Sequence, residues 1–326
     1  MLCLGIESTA HTFGIGIVDE KGNILSNEKD VYKPKVGGIH PKECTEHHLN
    51  VANDVLKKSL ETAKINLNDI DIISFSQGPG IPGVLRIGAV FSRALALKLK
   101  KPLFGVNHCI AHIEIGKLLT HSIDPVTLYV SGGNTQVIAF TEGKYRIFGE
   151  TQDIGIGNAL DKLARELGFE HPGGPKIEEY AKSGNYINFS YVVKGMDLSF
   201  SGILTEAKKK IKNHSINDIC YSFQETCFAM LTEVTERAVA HTDKNEVLLT
   251  GGVAANKRLQ EMLSIMCKER GAKFYVVPQE FAGDNGAMIA WTGMLMYKYN
   301  PHGMKIYETK INRFWRTDEV DIPWIS

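Results

Sequence analysis

A short apolar run from Leu2 ends in Glu7-Ser8-Thr9, and apolar alternation resumes from Phe13 to Val18 before a turn at Asp19 to Asn23. That pattern predicts strand, tight polar turn, strand. Leu49, Ala52, Val55, Leu56, Leu60 and Ala63 fall at helical spacing, Ile70 to Ser76 reads as a buried strand closed by Gln77-Gly78-Pro79-Gly80, and Val84 to Leu99 is helical again. Leu103 to Val106 is a short strand, and Asn107 is a good N-cap for the helix after it. Strand and helix alternate, so the first half predicts an α/β fold.

The second half repeats this pattern. Leu128-Tyr129-Val130, the turn Ser131-Gly132-Gly133-Asn134-Thr135 and Gln136-Val137-Ile138 again read as strand, small-polar turn, strand. Helices are predicted at Asn158 to Leu167, Ile177 to Lys182, Ile203 to Lys212 and Asn217 to His241. Strand Val247 to Thr250 runs into Gly251-Gly252 and a helix from Ala254 to Arg270, and strand Phe274 to Val277 precedes Gly283-Asp284-Asn285-Gly286 and a last helix, Ala287 to Tyr299. The two halves look like versions of one plan.

Charge changes the picture in one respect. The 326 residues carry 37 basic and 37 acidic side chains, so no global field draws the chain to a polyanion, and any nucleic acid must be held by local patches or by a partner. Cys3, Cys44, Cys109, Cys220, Cys227 and Cys267 form no C-x-x-C, which suits reduced thiols in a cytoplasmic protein. The N-terminus enters a strand at once without a basic leader, and no run of 18 apolar residues follows, so no membrane association is expected.

The candidate chemistry starts at His108 and His112. Four residues apart on a helix, both imidazoles fall on one face and within reach of one metal ion, with Cys109 turned away from them. A third ligand must come from elsewhere, and an ordinary helix with two hydrated histidines is the plainer reading of the spacing alone. The glycine turns add a second kind of site. Turn amides without side-chain bulk can point at phosphate oxygens, and two such turns facing across a cleft would grip a nucleotide. The turn Gly251-Gly252-Val253-Ala254-Ala255-Asn256 would then suit the adenosine end, with Asn256 reaching a ring or sugar atom.

The order of Ile6-Glu7-Ser8-Thr9, Ser131-Gly132-Gly133-Asn134-Thr135 and Gly251-Gly252 resembles the phosphate and adenosine motifs of the actin, heat-shock chaperone and sugar kinase superfold. A closer resemblance rests on Gly38-Ile39-His40-Pro41, Gly78-Pro79-Gly80, Asn107 to His112, Leu128 to Thr135, His171-Pro172-Gly173-Gly174-Pro175 and Gly283-Asp284-Asn285-Gly286. These look like the universal tRNA threonylcarbamoyladenosine transferases, in their archaeal and eukaryotic branch by Gly105 to Lys117 and by the tail Trp315-Arg316-Thr317-Asp318-Glu319-Val320.

The resemblance implies two duplicated actin-like lobes, 1–126 and 127–326, with a nucleotide cleft between them and a last helix and tail (286–326) able to pack back on the first lobe. It implies transfer of the threonylcarbamoyl group from threonylcarbamoyl-AMP to the exocyclic amine of the adenosine 3′ of the anticodon, in tRNAs reading codons that begin with A, with release of AMP. Its metal ligands land on His108, His112, Tyr129 and Asp284. Iron(II) is the first expectation for the single divalent ion, with zinc and manganese also suited to the donor set. Its nucleotide contacts land on Tyr129, Val130, Ser131, Gly132, Gly133, Asn134, Asp161, Gly174, Glu178 and Asn256, where threonylcarbamoyl-AMP or ATP/AMP, with or without magnesium, would bind. The expected partners are tRNA and the subunits of a KEOPS-like complex: a small atypical kinase, a dimerising subunit and a tRNA-binding subunit.

Each residue also has a plain role. Asp284 could cap the helix after it, Tyr129 could be an ordinary strand aromatic, and Asp161 and Glu178 could be solvated helix carboxylates. Two departures stand out. Archaeal relatives often carry glycine at Ser8, and Gly80-Ile81-Pro82-Gly83-Val84 differs in detail from the usual arrangement; both are expected to tune a loop near the phosphates. Glu7 stands where sugar kinases and chaperone ATPases carry an aspartate, which weakens a kinase reading. Lys208-Lys209-Lys210-Ile211-Lys212 reads first as a solvated helix end, whereas Lys33, Lys35 and Lys42 form a loop that could reach an anticodon arm. The alternatives are a nucleotide-binding scaffold ATPase and, less well supported, a metallopeptidase, which would need a glutamate where Cys109 stands.

Overall fold

The computed structural model describes residues 1–34 and 38–325, so Lys35 and Gly37 of the basic loop lie outside the described residues. In chain order the elements are β1 (Leu2–Ser8), β2 (Thr12–Asp19), β3 (Ile24–Val31), α1 (Pro41–Ala63), β4 (Ile72–Gly78), α2 (Pro82–Leu99), β5 (Leu103–Asn107) and α3 (His108–Thr120). They continue with β6 (Val126–Val130), β7 (Thr135–Thr141), β8 (Lys144–Glu150), α4 (Ile156–Glu166), α5 (Gly173–Ala181), β9 (Val193–Lys194), β10 (Asp197–Leu198) and α6 (Ser201–Lys210). The chain closes with α7 (Ile216–Thr242), β11 (Glu246–Thr250), α8 (Lys257–Glu269), β12 (Lys273–Val276), α9 (Gln279–Ala282) and α10 (Gly286–Tyr299). No helix among the described residues is long and apolar enough to cross a membrane.

The chain divides into two compact units: Met1–Leu118 with Glu142–Tyr145 and Asp284–Ser326, and Leu119–Thr141 with Arg146–Gly283. Each is built on a five-stranded sheet, ordered β3-β2-β1-β4-β5 in the first and β12-β11-β6-β7-β8 in the second. In each, an antiparallel hairpin (β1/β2, β6/β7) adds two parallel strands on one side (β4 and β5, β11 and β12). The second sheet therefore repeats the order of the first, as the repeated sequence pattern predicts.

Besides the two-residue strands β9 and β10, two strands escape the sequence pattern, β3 and β8, and both are outer strands of their sheets. Their sequences, ILSNEKDV and KYRIFGE, are polar and only partly buried, unlike the outer strand β5, which is buried throughout. The helix expected from Ala254 is also shorter. Gly252–Ala255 forms a 3-10 turn, and α8 begins at Lys257 because Asn256 caps it, its Oδ1 accepting from Arg258 N at 2.9 Å and Leu259 N at 3.2 Å.

In the first unit β1 is covered on both faces, which is why it reads as a continuous apolar run. Leu4 and Ile6 join Ile15, Ile17, Ala52, Val55 and Ala89 in one core cluster, while the alternate positions meet α10. Gly5 and Gly16 are paired across β1 and β2. A Cβ on Gly5 would lie 2.1 Å from Ala290 N, and one on Gly16 would lie 2.2 Å from Ala287 N. These two glycines, with Gly286 facing Gly16, let the α10 backbone sit directly on the sheet. Ser74 Oγ adds a hydrogen bond to Ile289 O at 2.9 Å. Asp284, two residues before α10, is thereby fixed beside the end of β1.

Candidate active site

Asn107 ends β5 and caps α3, its Oδ1 accepting from Cys109 N at 3.0 Å and Ile110 N at 3.3 Å. The cap sets the first turn so that His108 and His112 stack along one side of α3, with ring centroids 4.8 Å apart at 84°. Both Nε2 atoms lie 3.4 Å from Asp284 Oδ1. That spacing equals the edge, about 3.4 Å, of a tetrahedron of nitrogen and oxygen ligands each about 2.1 Å from a central ion. His108, His112 and Asp284 each offer one donor atom, all within 4.8 Å of one another, and among the described residues they are the one such group of His, Cys, Asp or Glu.

The directions at His112 and Asp284 suit a divalent cation. Burial holds the His112 imidazole below its ordinary pKa, with Asp284 opposing, so the ring tends to the neutral form that carries a lone pair. Burial pushes the Asp284 carboxyl up, but the charge of His108 and the hydrogen bonds of both histidines outweigh it and hold the group well below the usual carboxylate range. The capping role open to Asp284 is filled by its neighbour, since Asn285 Oδ1 accepts from Met288 N at 2.9 Å.

A fourth side chain, Glu7 of the Ile6-Glu7-Ser8-Thr9 motif, completes the cluster. Glu7, at the end of β1 and fully buried, places Oε2 3.0 Å from His108 Nδ1. Thr9 holds it there, donating to Glu7 Oε1 through its backbone N–H at 2.9 Å and through its hydroxyl. Burial pushes the Cys109 thiol up, and no glutamate replaces it beside His108, so the metallopeptidase signature is absent from the helix. Tyr129, the fourth ligand implied by resemblance, is fully buried on β6 between Thr250 and Gln136, and it belongs to the second unit, whereas the cluster lies wholly in the first.

The second unit gathers the remaining site residues. Tyr129 and Val130 end β6, and the turn Ser131–Asn134 is closed by Ser131 N–H to Asn134 O at 2.8 Å and Asn134 N–H to Ser131 Oγ at 3.0 Å. The start of α4 packs under it, Gly157 N–H and Asn158 N–H reaching Ser131 O and Gly132 O at 3.2 and 3.0 Å. Gly251 approaches on the other side, where a Cβ would lie 2.2 Å from Val130 O. Gly133 and Gly174 are different: a Cβ on either would meet nothing within 4 Å, and neither has positive φ. Chain packing gives no reason for glycine there, whereas close approach of a ligand to the backbone would.

Asp161, Glu178 and Asn256 each have hydrogen-bond partners within the second unit. Asp161 Oδ1 accepts from Gly173 N, the first residue of α5, at 2.8 Å, and Glu178 Oε1 accepts from Lys257 N, the first residue of α8, at 2.8 Å. Neither is a purely solvated carboxylate; each sits at the positive end of a helix dipole. Asn256 spends its oxygen on the α8 cap and donates through Nδ2 to Gln224 Oε1 at 2.9 Å. Gln224, within the long helix α7, thereby fixes the Asn256 side chain. Of the basic stretch, Lys208 pairs with Glu166 at 2.6 Å and Lys210 with Glu206 at 2.9 Å, so two of its charges are locally neutralised.

Solved structures of similar architecture include HypF of Thermococcus kodakarensis (TM-score 0.67, 15% identity, 91% of this chain and 48% of that one). The activator of the 2-hydroxyisocaproyl-CoA dehydratase from Clostridium difficile is another (TM-score 0.54, 12% identity, 94% and 98%). At these identities the likeness concerns the fold, an actin-like ATPase fold. Sequence relatives are much nearer. The tRNA N6-adenosine threonylcarbamoyltransferases of Thermococcus kodakarensis and Archaeoglobus fulgidus are 58% and 57% identical over 99% of this chain and 100% of their own. A probable bifunctional tRNA threonylcarbamoyladenosine biosynthesis protein of Methanothermobacter thermautotrophicus is 56% identical over 100% of this chain, which spans 61% of it. The family model described as TsaD, tRNA N6-adenosine threonylcarbamoyltransferase, matches residues 22–291, and the chain belongs to that family of tRNA-modifying transferases.

Proposed function

We propose that the chain carries out its transfer at a single divalent metal held by His108, His112 and Asp284, with Tyr129 as a fourth ligand, on a donor whose adenylate rests against Ser131–Asn134, Asp161, Gly174, Glu178 and Asn256. The observation that carries this reading is the convergence of two imidazole nitrogens and one carboxylate oxygen, all three buried or nearly so, in a chain of this family. Iron(II) is the ion we favour, zinc and manganese being chemically compatible.

The reaction joins the adenosine N6 to the carbonyl carbon of the threonylcarbamoyl group while the bond from that carbon to the phosphate oxygen breaks; N6 loses a proton and AMP departs. An exocyclic adenine amine is a weak nucleophile, so the residues must hold both partners at near-attack distance. A bound cation would polarise the donor carbonyl and balance charge on the leaving phosphate. The glycines at 132, 133 and 174 admit a phosphate or sugar to the backbone, and Asp161 Oδ2, which faces His171 Nδ1 at 3.5 Å, and the second oxygen of Glu178 can accept from ribose hydroxyls. The acceptor is the adenosine 3′ of the anticodon in tRNAs reading A-starting codons, and the chain works in the cytoplasm with KEOPS-like subunits. Zero net charge fits that dependence, since no global field draws RNA to the chain and local patches or a partner must hold it.

The test is mass spectrometry of nucleosides from unmodified tRNA incubated with the protein, its partner subunits and a threonylcarbamoyl-AMP source. Threonylcarbamoyladenosine should form with wild type and vanish with His108→Ala and with Asp284→Ala, together with bound metal. Full product from metal-free His108→Ala would sink the metal reading, and absence of product with wild type would favour a nucleotide-binding scaffold.

A further inference from the structure

The segment 300–316 carries Lys305, Lys310, Arg313 and Arg316 against one carboxylate, Glu308; Arg316 is paired with Asp318 at 3.1 Å, so the positive surplus rests on Lys305, Lys310 and Arg313 in a chain of zero net charge. Aromatic residues are interleaved with them. Phe314 and Tyr307 are 72% and 65% exposed, unusual for rings of that size, and each lies against a cation. The Arg313 guanidinium is 4.1 Å from the Phe314 ring centroid, and the Lys305 ammonium is 5.7 Å from that of Tyr307.

The backbone bearing these side chains is pinned. Asn312 N–H donates to Gln77 O at 2.9 Å, Gly80 N–H to Arg313 O at 3.3 Å, and Asn107 Nδ2 to Trp315 O at 3.2 Å. Upstream, Arg93 Nε donates to Thr309 Oγ1 at 2.7 Å. Asn107 is the cap of α3, and His108 is the next residue. The exposed rings thus stand on a fixed strap fastened to the residue adjoining the metal cluster.

We propose that this strap is a landing platform for the anticodon loop of the substrate tRNA, with Phe314 stacking on a base beside the target adenosine and Arg313, Lys310 and Lys305 meeting the flanking phosphates. The proposal rests on the reading of the His108 cluster as the reaction centre. An adenine amine reaches a protein site only when the loop is splayed, and a splayed base loses a stacking neighbour that an exposed aromatic face restores. Interleaved cations and rings on a rigid backbone are what single-stranded RNA binding uses, whereas a protein-docking patch would be depleted in lysine.

A fluorescent anticodon stem-loop titrated into the full-length protein tests this. Phe314→Ala should weaken binding about 5- to 150-fold, the range for loss of one stacked base, while Phe314→Trp retains it. Arg313→Gln should lower the slope of log affinity against log salt by roughly 0.7–0.9. Metal content and AMP binding, read on the same samples, report on the reaction centre; they should not move with Phe314→Ala, and their loss in wild type would indict that centre instead. Equal stem-loop affinity of wild type and the Phe314→Ala/Tyr307→Ala double variant would overturn the platform, as would loss of a co-purifying protein subunit with RNA affinity intact.

Discussion

Glu7 Oε2 lies 3.0 Å from His108 Nδ1, while the opposite ring nitrogen of His108 faces Asp284. A carboxylate on one nitrogen of an imidazole fixes its proton there, so the lone pair on the other is aimed at the cluster, and it raises the basicity of that lone pair. Glu7→Gln keeps the shape and loses the charge. Metal affinity should fall about 10- to 100-fold, the usual cost of such a change, with little change in melting temperature of the metal-free protein. A competition titration with a chromophoric chelator decides it; an unchanged dissociation constant would leave Glu7 a merely structural residue.

Asp284 and Asn285 divide two roles, the proposed metal ligand and the helix cap. Asn285→Ala removes the acceptor for Met288 N and should cost about 1 kcal/mol of stability while the carboxylate stays. Asp284→Ala should abolish metal retention with the α10 cap intact. Denaturant unfolding and elemental analysis of both variants distinguish the two, and metal loss on Asn285→Ala comparable to that on Asp284→Ala would show that the cap and the ligand act as one.

Glycines divide by what a methyl group would meet. Gly133→Ala finds open space and ordinary backbone, so stability should hold or rise by roughly 0.4–1 kcal/mol, while nucleotide affinity falls. Gly16→Ala drives a methyl into the Ala287 backbone and should destabilise the protein by more than about 1–3 kcal/mol, the ordinary cost of overpacking. Calorimetric titration with AMP alongside thermal melts checks both. Full AMP affinity in Gly133→Ala would remove the argument that a ligand approaches that turn.

His48 supplies a pH dependence unconnected with the metal. Burial, aided by the charges of His47 and His11, pushes its imidazole down to about 4, against opposing hydrogen bonds to the Thr12 and Cys44 backbone; Asp30 lies 3.0 Å from the His47 ring. Between the ordinary value of 6.5 and about 4 the unfolded chain takes up a proton that the folded chain refuses. Stability is therefore present in full above pH 6.5 and declines as pH falls through that window, by up to about 3 kcal/mol at about 1.4 kcal/mol per pH unit. Urea unfolding at pH 7.5 and 5 should show the decline, and His48→Gln should flatten it.

Much of the fold was legible because apolar periodicity is strong where strands are covered on both faces, as in β1, β4 and β6. It failed at β3 and β8, whose wet flanks admit residues such as Asn27, Glu28 and Arg146 that look like loop. The histidine pair was legible from spacing, since Asn107 announces the helix that aligns it. Glu7 was not, because its role comes from a strand end meeting a helix start 101 residues later, a relation no local pattern encodes. Asp161 and Glu178 could be flagged only by resemblance, and their bonds to the first amides of α5 and α8 depend on contacts made 12 and 79 residues away.

The seating of α10 on Gly5 and Gly16 has a consequence for biosynthesis. β1 and β2 are translated well before α10, the helix that covers their second face, and Asp284 arrives with that helix. A nascent chain halted anywhere before residue 284 would expose an apolar sheet face and own two histidines without their carboxylate. The first unit must therefore wait for the stretch that builds the second to be translated before it can close, so chains cut short before residue 284 should lack the carboxylate beside His108 and His112 and be prone to aggregate.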